Sequence, residues 1–203
     1  MKQGVLVAGA LAALATLGWW AARRLPPTGV SGSPQARAQL DELRDILRSG
    51  NDNDPRLGRD FGVLGDETKR LFRAEYRRLP RESLSDRGVI AFLLGRNLRS
   101  AEDWDFLREA VLEPPCLSMA DCSKRAAPSG GEEAAGDEVT LAYPPLMALK
   151  QVEHVLESRP GAKEARDLVA AAKGSKSPAV VRLAERLELK FIKITPDERA
   201  QRP

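Results

Sequence analysis

Few residues in this chain have the type and spacing to do chemistry, and the two cysteines come first. Cys116 and Cys122 are separated by five residues. A metal site would want paired C-x-x-C spacings and further ligands, and the chain has one His in all. A disulfide closing a small loop suits an exported body; two unpaired thiols are the alternative. By loop entropy such a bond would contribute only about 2 kcal/mol and would pin the base of an insertion. His154 falls on the polar side of its helix near Lys150 and Glu157, with no Ser or Cys nucleophile in a recognisable motif. It reads as a surface histidine, not a general base. Glu109 with Glu113, and Glu132 with Glu133, are carboxylate pairs common on solvated helices and carry no weight. Asn51 to Pro55 resembles the start of a calcium loop but lacks its Gly and closing Glu; turn and cap chemistry explains it. No G-x-S-x-G, P-loop or dinucleotide fingerprint occurs. The expectation is a chain without catalysis, cofactor or metal.

A second group is electrostatic. Lys69, Arg73, Arg77 and Arg81 recur every four residues, flanked by Arg70 and Arg78. On a helix they form a basic ridge, broken by Glu67, Glu75 and Glu82. It could meet anionic headgroups or an acidic partner, or be a solvated face with local ion pairs.

The charge of the whole chain misleads until it is located. The total is 32 Lys+Arg against 29 Asp+Glu. Lys2, Arg23 and Arg24 lie in the first 24 residues with no acid, which leaves 29 of each sign beyond them. The basic balance is therefore no argument for nucleic acid, which needs a basic face on the folded part. Charged residues at 30% and hydrophobic ones at 42% are ordinary for a soluble domain. They exclude a collagen, a disulfide-dense mini-protein, a multi-span membrane protein and a zinc ribbon. Arg outnumbers Lys, 23 to 9, which with the many Ala, Gly and Pro fits a GC-rich bacterial genome.

Gly4 to Ala22 is a run of 19 residues without a charge. As a helix it would reach about 28 Å, close to the hydrocarbon thickness of a bilayer. Trp19 and Trp20 stand where rings prefer the interface, Arg23 and Arg24 follow, and Pro26-Pro27 stops the helix. Residues 1–24 thus read as a signal-anchor, a single-pass transmembrane helix. A signal peptide cleaved at Ala13-Leu14-Ala15 is the rival, and a buried core helix the third reading. Orientation is poorly set, since Lys2 and the terminal amine oppose Arg23 and Arg24. The short leading flank and the cysteines favour an exported body.

Beyond a flexible linker at 25–33, the chain is a succession of amphipathic helical patterns. They span Pro34 to Ser49, Asp66 to Leu79, Ser85 to Leu98, Ser100 to about Leu112, Pro144 to Ser158, Ala162 to Lys173 and Pro178 to Leu189. The third, with Val89, Ile90, Phe92, Leu93 and Leu94, is apolar nearly all round and should be central. Only Lys190 to Ile194 hints at alternation. Residues 116–142 hold both cysteines and then an acidic, apolar-poor stretch, read as a largely disordered insertion. Residues 34–191 form the helical domain and 192–203 a tail.

Ser100 to Val111 aligns with Gly161 to Ala172, matching Ala101, Leu107 and Ala110 to Ala162, Leu168 and Ala171. The 61-residue offset, less the 27-residue insertion, is 34, a helix-pair period. The last pair, AKEARDLVAAAKGSKSPAVVRLAERLE, resembles a HEAT-like repeat. The resemblance implies an all-α fold, a short α-solenoid of stacked hairpins, and a scaffold or binding surface without chemistry of its own. The competing fold is a helical bundle without repeats. Together these readings give a membrane-anchored interaction module on the periplasmic side of a bacterial inner membrane. Its expected partners are envelope proteins and the bilayer through residues 4–22, with no nucleic acid and no small-molecule substrate evident. The alternatives are a subunit or accessory of an envelope enzyme or transport complex, and a secreted protein.

Overall fold

The structure, a computed structural model, describes residues 32–125 and 136–192. Every element among them is helical. The expected anchor, most of the linker, the tail from residue 193 and the middle of the insertion lie outside the described residues. Among the described residues no helix is long and apolar enough to cross a membrane.

Helix α1 spans Pro34–Ser49. Ser33 caps it by accepting the Ala36 N–H at 3.3 Å, with Pro34 at the first helical position. Gly50, at φ 65°, ends it in the left-handed region, where a residue without a Cβ is unstrained. Ala36, Leu40, Leu43 and Ile46 make its buried stripe.

Asn51 to Pro55 is a turn. Asn51 accepts the Asn53 N–H at 3.1 Å, and Asp54 accepts from the N–H and guanidinium of Arg56. Those side chains serve local backbone and a cation. A four-residue helix, α2 (Arg56–Arg59), follows; nothing in the periodicity announces it, since one turn carries no repeat. Helix α3 spans Asp66–Arg78, α4 Leu84–Gly95 and α5 Ala101–Val111. Helix α4 stops three residues before its expected end. There Asn97 is buried and its side-chain amide donates to the Leu93 carbonyl at 2.9 Å, while its carbonyl accepts the Leu64 N–H at 2.8 Å.

Both ends of the insertion fall within the described residues, while most of its acidic stretch, on which the expectation of disorder rests, lies outside them. Residues 116–125 form a disulfide-closed loop. Asp137 caps a short helix, α6 (Glu138–Leu141), by accepting from the N–H groups of Val139 and Thr140. The cystine is the one the spacing suggested, whereas the acidic composition hid the Asp137 cap, since a single cap fixes backbone without apolar residues.

Helices α7 (Tyr143–Ser158), α8 (Lys163–Ala172) and α9 (Pro178–Leu187) complete the domain. The chain continues as a π-helical turn, Glu188–Ile192, and so the hint of alternation near Lys190 corresponds to no strand up to Ile192.

Helices pair in contact along the chain: α3 with α4, α5 with α7 across the insertion and its short α6, and α8 with α9. Helix α7 lies at the centre, touching α4 and α9 as well, while α5 also meets α8. The α4–α7 packing is the most extensive in the domain. Its closeness depends on two glycines of α4 one heptad apart. A Cβ on Gly88 would collide with the Tyr143 ring, and one on Gly95 with the Gln151 side chain.

Candidate functional site

Helix α3 carries five of the six residues of the expected basic ridge, and two of them, Lys69 and Arg73, are buried. Lys69 is 1% exposed, and its Nζ lies 2.7 Å from Asp103 Oδ2 on α5. Arg73, one turn on, reaches Asp103 Oδ1 at 3.1 Å and Glu102 Oε2 at 3.0 Å. Arg77 clamps Glu109 through Nε at 2.9 Å. Three of the six thus form a zipper between α3 and α5, and of these Lys69 and Arg73 are buried away from lipid or partner. Burying those charges is tolerable because each is paired and hydrogen-bonded. Arg70 is exposed and 3.7 Å from Glu67, Arg78 holds Glu75, and Arg81 donates to the Pro114 carbonyl. Glu102, Asp103 and Glu109 on α5 are the complement that turns the ridge inward. Spacing on α3 reveals a face, while the acids opposite belong to another segment.

Asp103 accepts four ways. Besides Lys69 and Arg73 it takes the N–H groups of Arg99 and Ser100, at 2.9 and 3.0 Å, at the start of α5. Burial pushes its carboxyl up, but Lys69 and the two amides more than reverse this and hold it below the usual range. Glu75 behaves alike: burial raises it, and Arg78 and Arg44 bring it down to about 2.

A second buried group lies where α4 faces the end of α5. The Arg87 guanidinium stacks 4.1 Å from the Tyr76 ring centroid and donates to Glu113. Burial raises the Glu113 carboxyl, against the pull of Arg87. It also raises the Tyr76 phenol, whose buried hydroxyl makes no well-aligned hydrogen bond although Glu113 and Arg87 border it. Arg87 and Glu113 line a small cleft that also touches Arg81, Cys116 and Cys122, with a volume of about 20 Å³. That is room for about one water. Glu109 and Glu113, without weight in the sequence, are both structural partners of arginines.

The cystine loop forms the neighbouring wall. Cys116 and Cys122 are bonded, with S–S 2.11 Å. The loop is closed again by the Leu117 N–H donating to the Cys122 carbonyl at 3.1 Å. The Cys122 N–H donates to Glu82 at 2.8 Å, which ties the loop to the α3–α4 turn. The sulfurs pack on Leu84, Met119, Leu141 and Tyr143.

Between this loop and the start of α9 runs an open groove of about 530 Å³, within the size of ligand-binding clefts. Pro115, Leu117, Leu141 and Pro178 supply apolar wall, with Arg125 and Lys176 as cations. Neither cation is paired with an acid among the described residues; Glu138, also at the groove, is taken by Arg182. Leu117 and Val139 are unusually exposed for their size, at 39% and 58%. A second groove, about 310 Å³, lies between α5 and α8, with Trp104, Arg99 and Arg108 beside Asp105, Glu164 and Asp167.

His154 is exposed, its Nδ1 3.5 Å from Glu157. Among the described residues no three His, Cys, Asp or Glu side chains stand together to hold a metal ion. Comparison with protein-family models, with curated proteins and with solved structures found no match to this chain.

Proposed function

We propose that the chain is a binding module held at the outer face of a bacterial membrane by its N-terminal run, built as a short HEAT-like stack of hairpins and without catalysis of its own. In this reading α3–α4, α5–α7 and α8–α9 are successive repeats. Their second helices, α4, α7 and α9, touch in order, which favours a stack. The most deeply buried carboxylates that carry an ion pair are engaged inside the domain, as in Lys69–Asp103, Arg73–Asp103 and Arg87–Glu113. They hold helices together, which suits a scaffold.

The observation that carries the export is the cystine. Disulfides persist in oxidising compartments and are rare in the cytosol. Here one occurs in a chain whose residues 4–22 have the length and apolarity of a bilayer span. Anchoring would confine the module to two dimensions and raise its effective concentration toward an envelope partner.

The test is fractionation of cells making the full chain, with crosslinking in the same cells. The chain should pellet with membranes, resist alkaline carbonate, yield a Cys116–Cys122 linked peptide under non-reducing mass spectrometry and crosslink to an envelope protein. Full-length protein loose in the cytosol with free thiols would sink the reading. A mature chain starting near Thr16 would replace an anchored module by a secreted one.

A further inference from the structure

The groove beside the cystine loop carries an inference about the partner, and it rests on the reading of the domain as a binding module. Its cations come from different segments, Arg125 at the exit of the cystine loop and Lys176 in the turn before α9. Its apolar wall continues into exposed Leu117, with exposed Val139 adjacent in sequence to the lining residue Glu138. The groove between α5 and α8 differs, because its two arginines stand among three acids.

We infer that the cystine-loop groove seats a partner segment in which carboxylates alternate with apolar side chains. Arg125 and Lys176 would each gain a charge-assisted hydrogen bond to a carboxylate. Leu117, Leu141 and the two prolines would lose apolar surface to water. A basic segment would meet like charge and be rejected. The walls are fixed beforehand by the disulfide, by Pro115, and by Pro178 at the first position of α9. Little ordering entropy is therefore lost on binding.

The probe is a dye-labelled octapeptide of alternating Leu and Glu, titrated against the full chain in detergent micelles and read by anisotropy, with empty micelles as blank. The peptide should bind and its Lys-for-Glu twin should not. Arg125→Glu with Lys176→Glu should weaken binding by about tenfold or more, since two attractions turn repulsive. Both sites are exposed, and an unchanged circular dichroism spectrum shows the fold is kept. Arg37→Glu with Arg166→Glu, exposed on α1 and α8, should change affinity less than about twofold, since screened charges outside the groove act weakly.

Equal weakening by both pairs of reversals, or no binding at all, overturns the groove assignment. If the in-cell crosslink to an envelope protein survives in that case, the module reading stands and only this site fails; if it too is absent, both fail. Glu132→Gln with Glu133→Gln should leave the affinity unchanged. A gain of about tenfold would assign the groove to the chain's own acidic stretch and overturn the partner assignment.

Discussion

Lys69 is as buried as the leucines around it, and one residue, Asp103, makes that possible. The carboxylate neutralises the ammonium, holds Arg73 and accepts two amides at the start of α5. Removing one partner of a buried pair strands the other, which costs more than the pair itself gains. Asp103→Ala should therefore lower stability by about 3–5 kcal/mol in urea denaturation. Adding Lys69→Met should recover part of this, because no ammonium is then stranded. A loss under about 1 kcal/mol, the worth of a surface pair, would mean that Lys69 escapes to water. Glu75 supplies the pH dependence. Its carboxyl is depressed to about 2 from an ordinary 4.5 by Arg78 and Arg44, against its burial. Its contribution is present in full above pH 4.5 and lost as pH falls toward 2. With both arginines partly exposed, the effect is about 1–3 kcal/mol. Glu75→Gln should flatten the fall in stability over that window. Glu113 runs the other way: its raised carboxyl favours the fold when protonated, and that support fades as pH climbs past 4.5.

At the scale of elements, the most extensive helix packing in the domain, between α4 and α7, depends on what α4 lacks. Gly95 faces Gln151, whose Cβ lies 2.7 Å from where an alanine Cβ would stand. Gly95→Ala should gain about 1 kcal/mol of helix propensity and lose more to overpacking. The expected net is a destabilisation of about 1–2 kcal/mol, and Gln151→Ala beside it should relieve part of that. Neutral or higher melting temperature in the single variant would show that α4 and α7 separate freely. Helix ends were legible where a residue does one local job, as Ser33, Pro34 and Gly50 do at the two ends of α1. The near-complete apolar surface of Val89 to Leu94 also marked α4 as central, and it buries most of its length. Less legible was anything that needs a distant partner. The ridge on α3 has the same spacing whether it faces water or Asp103, and Arg87 reads as one more surface arginine until Tyr76 and Glu113 are beneath it. Helix α2 and the turn after α9 are too short to show a period.

At the scale of the molecule, the first and last described elements are tied to the helical domain by charge as well as by apolar packing. Helix α1 closes one end of the sequence onto α3, through Arg44 to Glu75 at 2.8 Å and Thr68 to Gln39 at 2.7 Å. The terminal turn closes the other onto α7 and α8, through Lys190 to Glu153 at 3.1 Å and Lys173 to Glu188 at 2.8 Å. Between them the cystine joins no two helices; it closes a loop of seven residues. Its loss in Cys116→Ser with Cys122→Ser should therefore cost only about 2 kcal/mol, within the 5–15 kcal/mol typical of a domain. The helices should stay folded while the wall of the groove loosens. Hydrogen exchange should accelerate in residues 116–125 and at Glu82, whose side chain holds the Cys122 amide. Protection in α4 and α7 should persist, because their packing runs through Gly88, Gly95 and the apolar core. The double serine variant should also bind the Leu–Glu octapeptide more weakly, since a mobile wall restores the ordering entropy that the bond removes. Exchange that rises equally through α4 and α7 would show the cystine to be a global staple and would place the centre of the fold in the loop.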